Sequence, residues 1–311
     1  MTITPSNNLN LFGYKDFFLH LKNLYDKNLL PNKIIFSGNK GIGKATFAYH
    51  LANYIFSLNE ENNYNFLKNT ILINNHSYKM IQKNSHTNFF LITNEDAKTI
   101  NQINRVREMI NFTNKSSFNN EEKIVMIDNV EYLNKNSVNA LLKIIEEPNN
   151  KIYFFLIYDN KSKILDTLSS RCIKFNLILP PQKKDQIINH LLNNNFYNNL
   201  NDDFKNFYSS PGQILLLQNI FKENIIDDNI SIDSFLRIII DKSLFKKNLL
   251  IKNNLSFFIE LYFKKKFNHL KYKNKIYNLY KYFLSKISDC EEYNLDIESI
   301  LIEFNGKLLN E

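Results

Sequence analysis

Five short apolar runs divide the first half of the chain. They lie at 33–36, 89–92, 123–127, 152–158 and 172–175, and each has the length of a buried strand. Segments with the apolar spacing of a helix separate several of these runs. Strands that alternate with helices are typical of a parallel α/β sheet, so the pattern predicts a five-stranded parallel sheet.

Three of the intervening segments carry helical periodicity. A helix is predicted at 46–56, a second at 100–112 and a third from about residue 136. Pro148 predicts the end of the third helix, because proline cannot continue the hydrogen-bond ladder. The apolar positions of that helix follow the i, i+3, i+4, i+7 spacing: Val138, Leu141, Leu142 and Ile145.

The strand pattern ends at Pro180 and Pro181, which mark a domain boundary. Helical patterns rich in Phe, Tyr, Leu and Lys follow, with a polar break at 227–229. The fold class is therefore α/β plus all-α. The predicted domains are an α/β module at 1–178, a small helical unit at 179–226 and a C-terminal helical domain at 227–311.

Composition places the chain among globular proteins. It has 311 residues, of which 44% are hydrophobic, and its apolar runs are too short to cross a bilayer. The first ten residues lack the order of a signal peptide. Cys172 and Cys290 are the only cysteines, too few for a disulfide framework or a four-thiolate zinc site. These features predict a reduced, cytoplasmic protein without a membrane anchor.

Net charge is +8, which permits contact with nucleic acid without establishing it. Lysine supplies nearly all the positive charge, and the lysine run 264–266 is interpreted as a solvated helix face. A lysine-mediated DNA-binding protein remains one hypothesis for the function. Four positions use arginine where the composition favours lysine: Arg105, Arg107, Arg171 and Arg237.

Residues 38–46 read G-N-K-G-I-G-K-A-T and nearly complete a phosphate-binding loop. Such a loop joins a strand to a helix, and its backbone N–H groups surround phosphate oxygens. Lys44 would reach the β- and γ-phosphates. The candidate nucleotide site comprises Gly38, Gly41, Gly43, Lys44, Ala45, Thr46 and Asp128.

Two positions in this site lack groups that ATP hydrolysis uses. Ala45 stands where the pattern requires a hydroxyl that ligates Mg²⁺. Asp128 ends a predicted strand, where a metal-directed aspartate belongs, but Asn129 follows it in place of a general-base glutamate. Glu131 lies two residues further on, and its side chain is expected to point away from the position of that general base. The alternative is that water or Thr46 replaces the lost hydroxyl and hydrolysis survives.

Three motifs together resemble a known family. The loop G-I-G-K-A-T-F-A at 41–48, the run V-N-A-L-L-K-I-I-E-E-P at 138–148 and S-R-C at 170–172 occur in the order found in bacterial clamp loaders. Specifically, they resemble the delta-prime family of DNA polymerase III subunits, within the AAA+ superfamily. The resemblance covers about the first 215 residues, and the C-terminal helices match only in helical character.

The resemblance implies an AAA+ P-loop module, a helical lid and a C-terminal oligomerisation collar. It also implies a stator in a hetero-pentamer with motor (gamma/tau) and delta subunits, which loads the sliding clamp on primer-template DNA. Arg171, within the motif Ser170-Arg171-Cys172, would be an arginine finger, a side chain that completes the ATP site of a neighbouring subunit. The alternative for Arg171 is a surface salt bridge.

Two departures from related subunits refine the prediction. Gln213 follows Ser210-Pro211-Gly212 at a position where active relatives carry an arginine facing the phosphates. Residues 56–87 lack the four cysteines of a zinc module, and His76 and His86 cannot replace them. We therefore predict no zinc and no required cofactor, with at most weak ATP or ADP binding. The rival hypothesis is an autonomous AAA+ ATPase, which the intact Lys44 and Asp128 favour.

Overall fold

A computed structural model describes residues 3–93, 96, 102–118, 121–146, 151–192, 194–205, 209–269, 273–293 and 295–309. The chain forms two compact units. The first comprises Met1–Ile187 together with Ser210–Gly212, and the second comprises Ile188–Ser209 together with Gln213–Glu311.

The first unit is built on a five-stranded parallel sheet, as the apolar runs predicted. Its strand order is β2-β3-β4-β1-β5, so β1 lies between β4 and the edge strand β5. Because all strands are parallel, their carboxyl ends meet at one edge of the sheet. The strands are β1 Lys33–Gly38, β2 Phe89–Ile92, β3 Lys123–Ile127, β4 Ile152–Asp159 and β5 Ile173–Asn176.

Helices cover both faces of this sheet. The helices and turns of this unit are α1 Lys15–Asp26, α2 Lys44–Phe56, α3 His76–Gln82, α4 Gln102–Asn114, a 3-10 turn Val130–Tyr132, α5 Lys135–Glu146, α6 Asp166–Ser169 and α7 Pro181–Leu191, which ends in the second unit. Alternate strand residues face opposite clusters, with Ile34 on the side of α1 and α2 and Ile35 on the side of α4 and α5. Burial on both faces explains why the central strands are nearly continuous apolar runs.

Three helices of this unit were not predicted from the sequence: α1, α3 and the four-residue α6. The first buries Phe18 and Leu21 against the sheet. In α3, the Asn75 side chain accepts a hydrogen bond from the Tyr78 N–H and caps the helix. The predicted start of α4 at residue 100 and the predicted stop at Pro148 lie outside the described residues.

The second unit is entirely helical in its described residues. Its helices are α8 Asn194–Asn199, α9 Pro211–Asn224, which begins in the first unit, α10 Ile232–Asp241, α11 Leu244–Lys247, α12 Leu249–Lys252, α13 Leu255–His269, α14 Lys273–Tyr293 and α15 Ile297–Phe304, followed by a π turn, Asn305–Leu309. One hydrophobic cluster extends from Ile188 to Leu309 and draws on both helical segments predicted as separate domains. The division into three domains stays a prediction.

The lysine run 264–266 was expected to be a solvated helix face, but Lys265 and Lys266 form ion pairs within the helical unit. Lys265 Nζ lies 2.9 Å from Asp203 Oδ2 and 2.5 Å from Asp233 Oδ2, so this lysine is partly buried between two carboxylates. Lys266 Nζ lies 3.3 Å from Asp233 Oδ1. These ion pairs hold α13 against neighbouring parts of the helical unit.

Within the described part of the chain, none of the helices combines the length and apolar content that crossing a membrane demands. Cys172 and Cys290 are both free thiols.

Candidate functional site

The glycine-rich loop lies at the carboxyl end of β1 and leads into α2. Gly41 (φ 79°) and Gly43 (φ 95°) adopt left-handed backbone conformations, which side chains other than glycine rarely tolerate. Gly43 directly precedes the first residue of α2, so the loop ends at a helix N-terminus. The predicted strand–loop–helix context is therefore present.

Backbone packs closely against this loop at two further glycines. A Cβ on Gly38 would lie 2.6 Å from the carbonyl oxygen of Leu177. A Cβ on Gly212 would lie 2.8 Å from Gly41 Cα, and the Gly212 N–H donates a 2.9 Å hydrogen bond to the Gly41 carbonyl. The Ser-Pro-Gly turn thus rests directly on the loop. Gln213, the next residue, belongs to the second unit, and its role stays a prediction.

Lys44 is buried, with 6% of its surface exposed. Its Nζ donates hydrogen bonds to the carbonyls of Gly38 at 2.7 Å and Asn39 at 2.8 Å. Burial lowers the pKa of Lys44, and the nearby carboxylates of Asp159, Glu131 and Asp128 act in the opposite direction. The lysine is therefore aligned along the loop that it would serve in phosphate binding.

Asp128 follows β3 at the same edge of the sheet as the loop. Burial raises the pKa of Asp128 to about 6, while Lys44 and the N–H of Asn129 oppose the increase. At neutral pH the side chain is mostly a carboxylate, which suits a hard cation such as Mg²⁺. Whether it binds a nucleotide-associated metal stays a prediction.

Ala45 and Asn129 supply neither the metal-ligating hydroxyl nor the general-base carboxylate that ATP hydrolysis uses. The methyl group of Ala45 packs against the hydrophobic cluster on the α1 and α2 side of the sheet. Asn129 has a left-handed backbone (φ 58°) and begins the 3-10 turn that ends at Tyr132. Its amide has no basic carboxylate and cannot accept a proton from water.

Glu131 lies in this site, contrary to the sequence-based expectation that it points elsewhere. The left-handed Asn129 and the 3-10 turn redirect the chain, so Glu131 Oε1 accepts a 3.3 Å hydrogen bond from the Asp159 N–H at the end of β4. Oε2 is buried and has no hydrogen-bond partner among the described residues. Burial raises the pKa of Glu131 to about 7.

Asp159 was also missed, although the sequence contains a signal for it. It ends β4, and β4 pairs with β1, so its side chain belongs at the edge that carries the loop. Asp128, Glu131 and Asp159 place three carboxyl groups near the ammonium of Lys44, and Lys40 of the loop adds a second positive charge. Because the pKa of Glu131 is about 7, this carboxyl is only partly ionised at neutral pH.

Arg171 lies apart from this loop, between α6 and the edge strand β5. Its side chain is 39% exposed. Nε donates a 2.7 Å hydrogen bond to Glu146 Oε1, and Nη1 donates a 2.9 Å hydrogen bond to the Thr167 carbonyl. The surface ion pair considered for Arg171 is therefore present, and the finger role is compatible with it but stays a prediction.

The residues flanking Arg171 are structural. The Ser170 hydroxyl donates to the Thr167 carbonyl at 3.2 Å. Burial raises the pKa of the Cys172 thiol to about 11, so it is not a nucleophile at neutral pH. Cys172 was expected to open a buried strand, and this is wrong because β5 lies at the edge of the described sheet, beside β1, and exposes most of its residues.

The other arginines differ from Arg171 in their surroundings. Arg105 lies over the Phe90 ring, with 4.5 Å between Cζ and the ring centroid, and donates to the Leu91 carbonyl at 2.9 Å. It also pairs with Glu108, 2.6 Å from Nη1, which explains an arginine at that position structurally. Arg107 and Arg237 are exposed.

Of the two histidines in segment 56–87, His86 is held by packing and His76 is exposed. The His86 ring lies 4.1 Å from the Phe56 ring centroid, and burial lowers the pKa of His86 to about 4. No group of three or more His, Cys, Asp or Glu side chains that could hold a metal ion occurs among the residues described. The absence of zinc stays a prediction.

Comparison with known proteins identifies a family for this chain. The family described as "DNA polymerase III, delta subunit" matches residues 13–180, more than half of the chain. This range contains the glycine-rich loop, Asp128, Glu131, Asp159 and Arg171.

Individual relatives belong to the same polymerase. The DNA polymerase III subunit delta' of Buchnera aphidicola subsp. Schizaphis graminum is 33% identical over 181 residues, covering 58% of this chain and 52% of that protein. The gamma subunit of the same organism is 31% identical over 200 residues, covering 62% and 52%. The chain thus spans about half the length of these relatives. A solved gamma-subunit-related protein of Thermotoga maritima is 14% identical with a TM-score of 0.48, covering 92% of this chain and 96% of that one.

Proposed function

The chain belongs to the DNA polymerase III delta-subunit family, and on this premise we propose that it is a delta-prime-like stator of the clamp loader. In this role it contributes Arg171 to the ATP site of a neighbouring subunit and hydrolyses little or no ATP itself. Its partners are motor (gamma/tau) and delta subunits in a hetero-pentamer, joined through its C-terminal helices. The assembly opens the sliding clamp and loads it on primer-template DNA in the cytoplasm.

The observation that carries this proposal is the exposure of Arg171 beside an edge strand. Two hydrogen bonds to its own unit engage Nε and Nη1. Nη2 has no hydrogen-bond partner among the described residues, and 39% of the side chain is open to solvent. A second subunit approaching the β5 edge could therefore reach donors that no described residue engages.

Arginine suits this task because its charge is permanent and its planar fork matches phosphate oxygens. During phosphoryl transfer, negative charge develops on the oxygens around the γ-phosphorus and on the leaving group. An arginine supplied by a neighbouring subunit stabilises that charge and is worth about 10³- to 10⁵-fold in rate. The proposed contribution of Arg171 is thus electrostatic and acts in the transition state.

The chain's own loop supports nucleotide binding better than hydrolysis. The loop N–H groups and Lys44 would hold phosphates, and Asp128 is the carboxylate best placed for a metal. Mg²⁺, when bound with a nucleotide, would neutralise phosphate charge. Ala45 offers it no hydroxyl, Asn129 offers no base, and Glu131 and Asp159 add negative charge.

The test is Arg171→Ala in a complex reconstituted with gamma/tau and delta subunits. In the presence of clamp and primed DNA, we expect hydrolysis at the one ATP site that Arg171 completes to fall by about 10³-fold, because that site loses transition-state stabilisation. Arg107→Ala is the matched control, since Arg107 is an exposed arginine on α4 of the same unit. Equal rates for the Arg171→Ala and wild-type complexes would exclude the finger role.

The second candidate is an autonomous AAA+ ATPase. It is favoured by Lys44 and Asp128, which lie at the same sheet edge and interact electrostatically. Glu131, within this site, offers a carboxylate that Asn129 lacks. ATP turnover by the isolated chain that disappears in Lys44→Ala would support this candidate over the stator.

A further inference from the structure

Glu146 makes the one side-chain contact to the Arg171 guanidinium in the described part of the chain. It is the last residue of α5, and its Oε1 lies 2.7 Å from Arg171 Nε. The second acceptor, at 2.9 Å from Nη1, is the backbone carbonyl of Thr167. Removing the Glu146 side chain would therefore free Arg171 Nε and leave only the bond to the Thr167 carbonyl.

The two contacts together fix the orientation of the guanidinium. A planar group that donates through both Nε and Nη1 has a preferred orientation. Nη2 remains without a hydrogen-bond partner among the described residues, so it presents its two N–H donors in a defined direction. Without Glu146, an exposed arginine would sample many rotamers and would lose entropy on binding a phosphate.

We infer that Glu146 is a positioning residue for Arg171, which preorganises the guanidinium for a phosphate in a neighbouring subunit. This inference rests on the proposed function. It assigns Glu146 an effect on the partner's rate of hydrolysis, exerted through Arg171 and without contact to the nucleotide.

Because the Arg171–Glu146 pair is exposed, an effect of Glu146 on the rate can be distinguished from an effect on folding. The side chains of Arg171 and Glu146 are 39% and 49% exposed, and exposed ion pairs add little to stability. Losing Glu146 should therefore leave folding intact. A negative charge near the partner's phosphates is itself unfavourable, so the benefit of Glu146 comes from the hydrogen bond it accepts.

Glutamine separates the hydrogen bond from the charge. Glu146→Gln keeps an oxygen that can accept from Arg171 Nε, whereas Glu146→Ala removes the acceptor. In the reconstituted complex we expect Glu146→Ala to lower kcat for ATP about tenfold with an unchanged KM, because orientation matters in the transition state. Glu146→Gln should stay within about twofold of the wild type.

The chain offers a matched control for this experiment. Glu108 forms a comparable pair with Arg105, 2.6 Å from Nη1, and is also exposed. Glu108→Ala should leave kcat unchanged. The double variant Glu146→Ala with Arg171→Ala should be no slower than Arg171→Ala alone, because the two residues act through one group. Thermal unfolding of each isolated variant verifies that the fold is retained.

The outcomes distinguish this inference from the proposed function. If Arg171→Ala slows the complex and Glu146→Ala does not, or accelerates it, the positioning role is wrong and the finger stands. If Glu146→Gln slows the complex as much as Glu146→Ala, the charge matters and positioning by the hydrogen bond is wrong. If Arg171→Ala has no effect, the proposed function fails and the inference fails with it.

Discussion

The glycine-rich loop and the surroundings of Arg171 belong to the same unit but differ in what they provide: the loop a backbone shape, and Arg171 an exposed charge. The loop retains its backbone shape, with left-handed Gly41 and Gly43 and a buried Lys44, while Ala45 and Asn129 bring no ligand or base. The Arg171 region holds a permanently charged group by two hydrogen bonds and exposes it to solvent.

This difference separates two demands that ATPases usually combine. Backbone contacts hold the loop in the fold, so a change in the shape of the loop would lower the stability of the protein. A hydroxyl that ligates a metal and a carboxylate that activates water are not needed for those contacts. On the proposed function, a subunit whose own pocket lacks these groups can still serve a neighbour, provided that its arginine remains exposed.

The largest effect is expected where the loop touches the sheet. Gly38→Ala should lower the free energy of unfolding by about 2–3 kcal/mol, because the new Cβ would lie 2.6 Å from the Leu177 carbonyl. Urea denaturation of the isolated chain measures it. Gly306→Ala is the control, since a Cβ at that position would meet no atom within 4 Å, and it should change stability by less than about 1 kcal/mol. Equal effects would mean that the loop is not held by the fold.

A smaller effect is expected from the buried carboxylates around Lys44. Burial raises the pKa of Glu131 from 4.5 to about 7, so the folded chain binds a proton that the unfolded chain has lost between these values. That stabilising protonation is complete at low pH and disappears as the pH rises through 7. Glu131 therefore destabilises the fold at alkaline pH.

Glu131→Gln removes this charge and tests the sign of the effect. The variant should gain stability over the wild type by about 1–2 kcal/mol between pH 5 and pH 8, as denaturation at the two pH values would measure. Glu61→Gln, at an exposed position, should show no such trend. A gain that is constant with pH, or a loss, would show that Glu131 is not buried as a carboxylate in this pocket.

The smallest effect concerns the missing metal ligand. Ala45→Ser restores a hydroxyl at the start of α2. We expect Mg²⁺ to tighten ADP binding by about 5- to 10-fold in this variant, near 1 kcal/mol, and by less than about twofold in the wild type. Isothermal titration with Mg²⁺ or with EDTA measures both. Strong Mg²⁺ dependence in the wild type that Thr46→Ala abolishes would show instead that Thr46 replaces the lost hydroxyl.

Much of the fold follows from the sequence because the central strands of the sheet are buried on both faces. All five strands were predicted, and β2 and β3 have the predicted bounds, since burial demands continuous apolar runs. The strand–loop–helix context of Lys44 and the position of Asp128 were predicted from the motif. Helix α1 was not predicted, although it buries Phe18 and Leu21, because its segment lies outside the motifs used for prediction.

The features that the sequence could not supply depend on backbone turns and on pairing between distant segments. Glu131 enters the site because Asn129 adopts a left-handed backbone conformation. Most residues other than glycine do not adopt it, so the residue type alone did not predict this turn. The contact of Gly212 with Gly41 joins positions far apart in the chain. The pairing of Arg171 with Glu146 likewise requires the relative placement of α5 and β5.

The central claim is that Arg171 serves a partner's ATP site while the chain's own loop turns over no ATP. The most direct measurement is ATP hydrolysis, in one assay, by the isolated chain and by reconstituted complexes carrying wild-type or Arg171→Ala chains. We predict no turnover by the isolated chain, turnover by the wild-type complex, and in the variant complex a loss of about 10³-fold at the one ATP site that Arg171 completes. Lys44-dependent turnover by the isolated chain, or an unchanged rate in the Arg171→Ala complex, would contradict it.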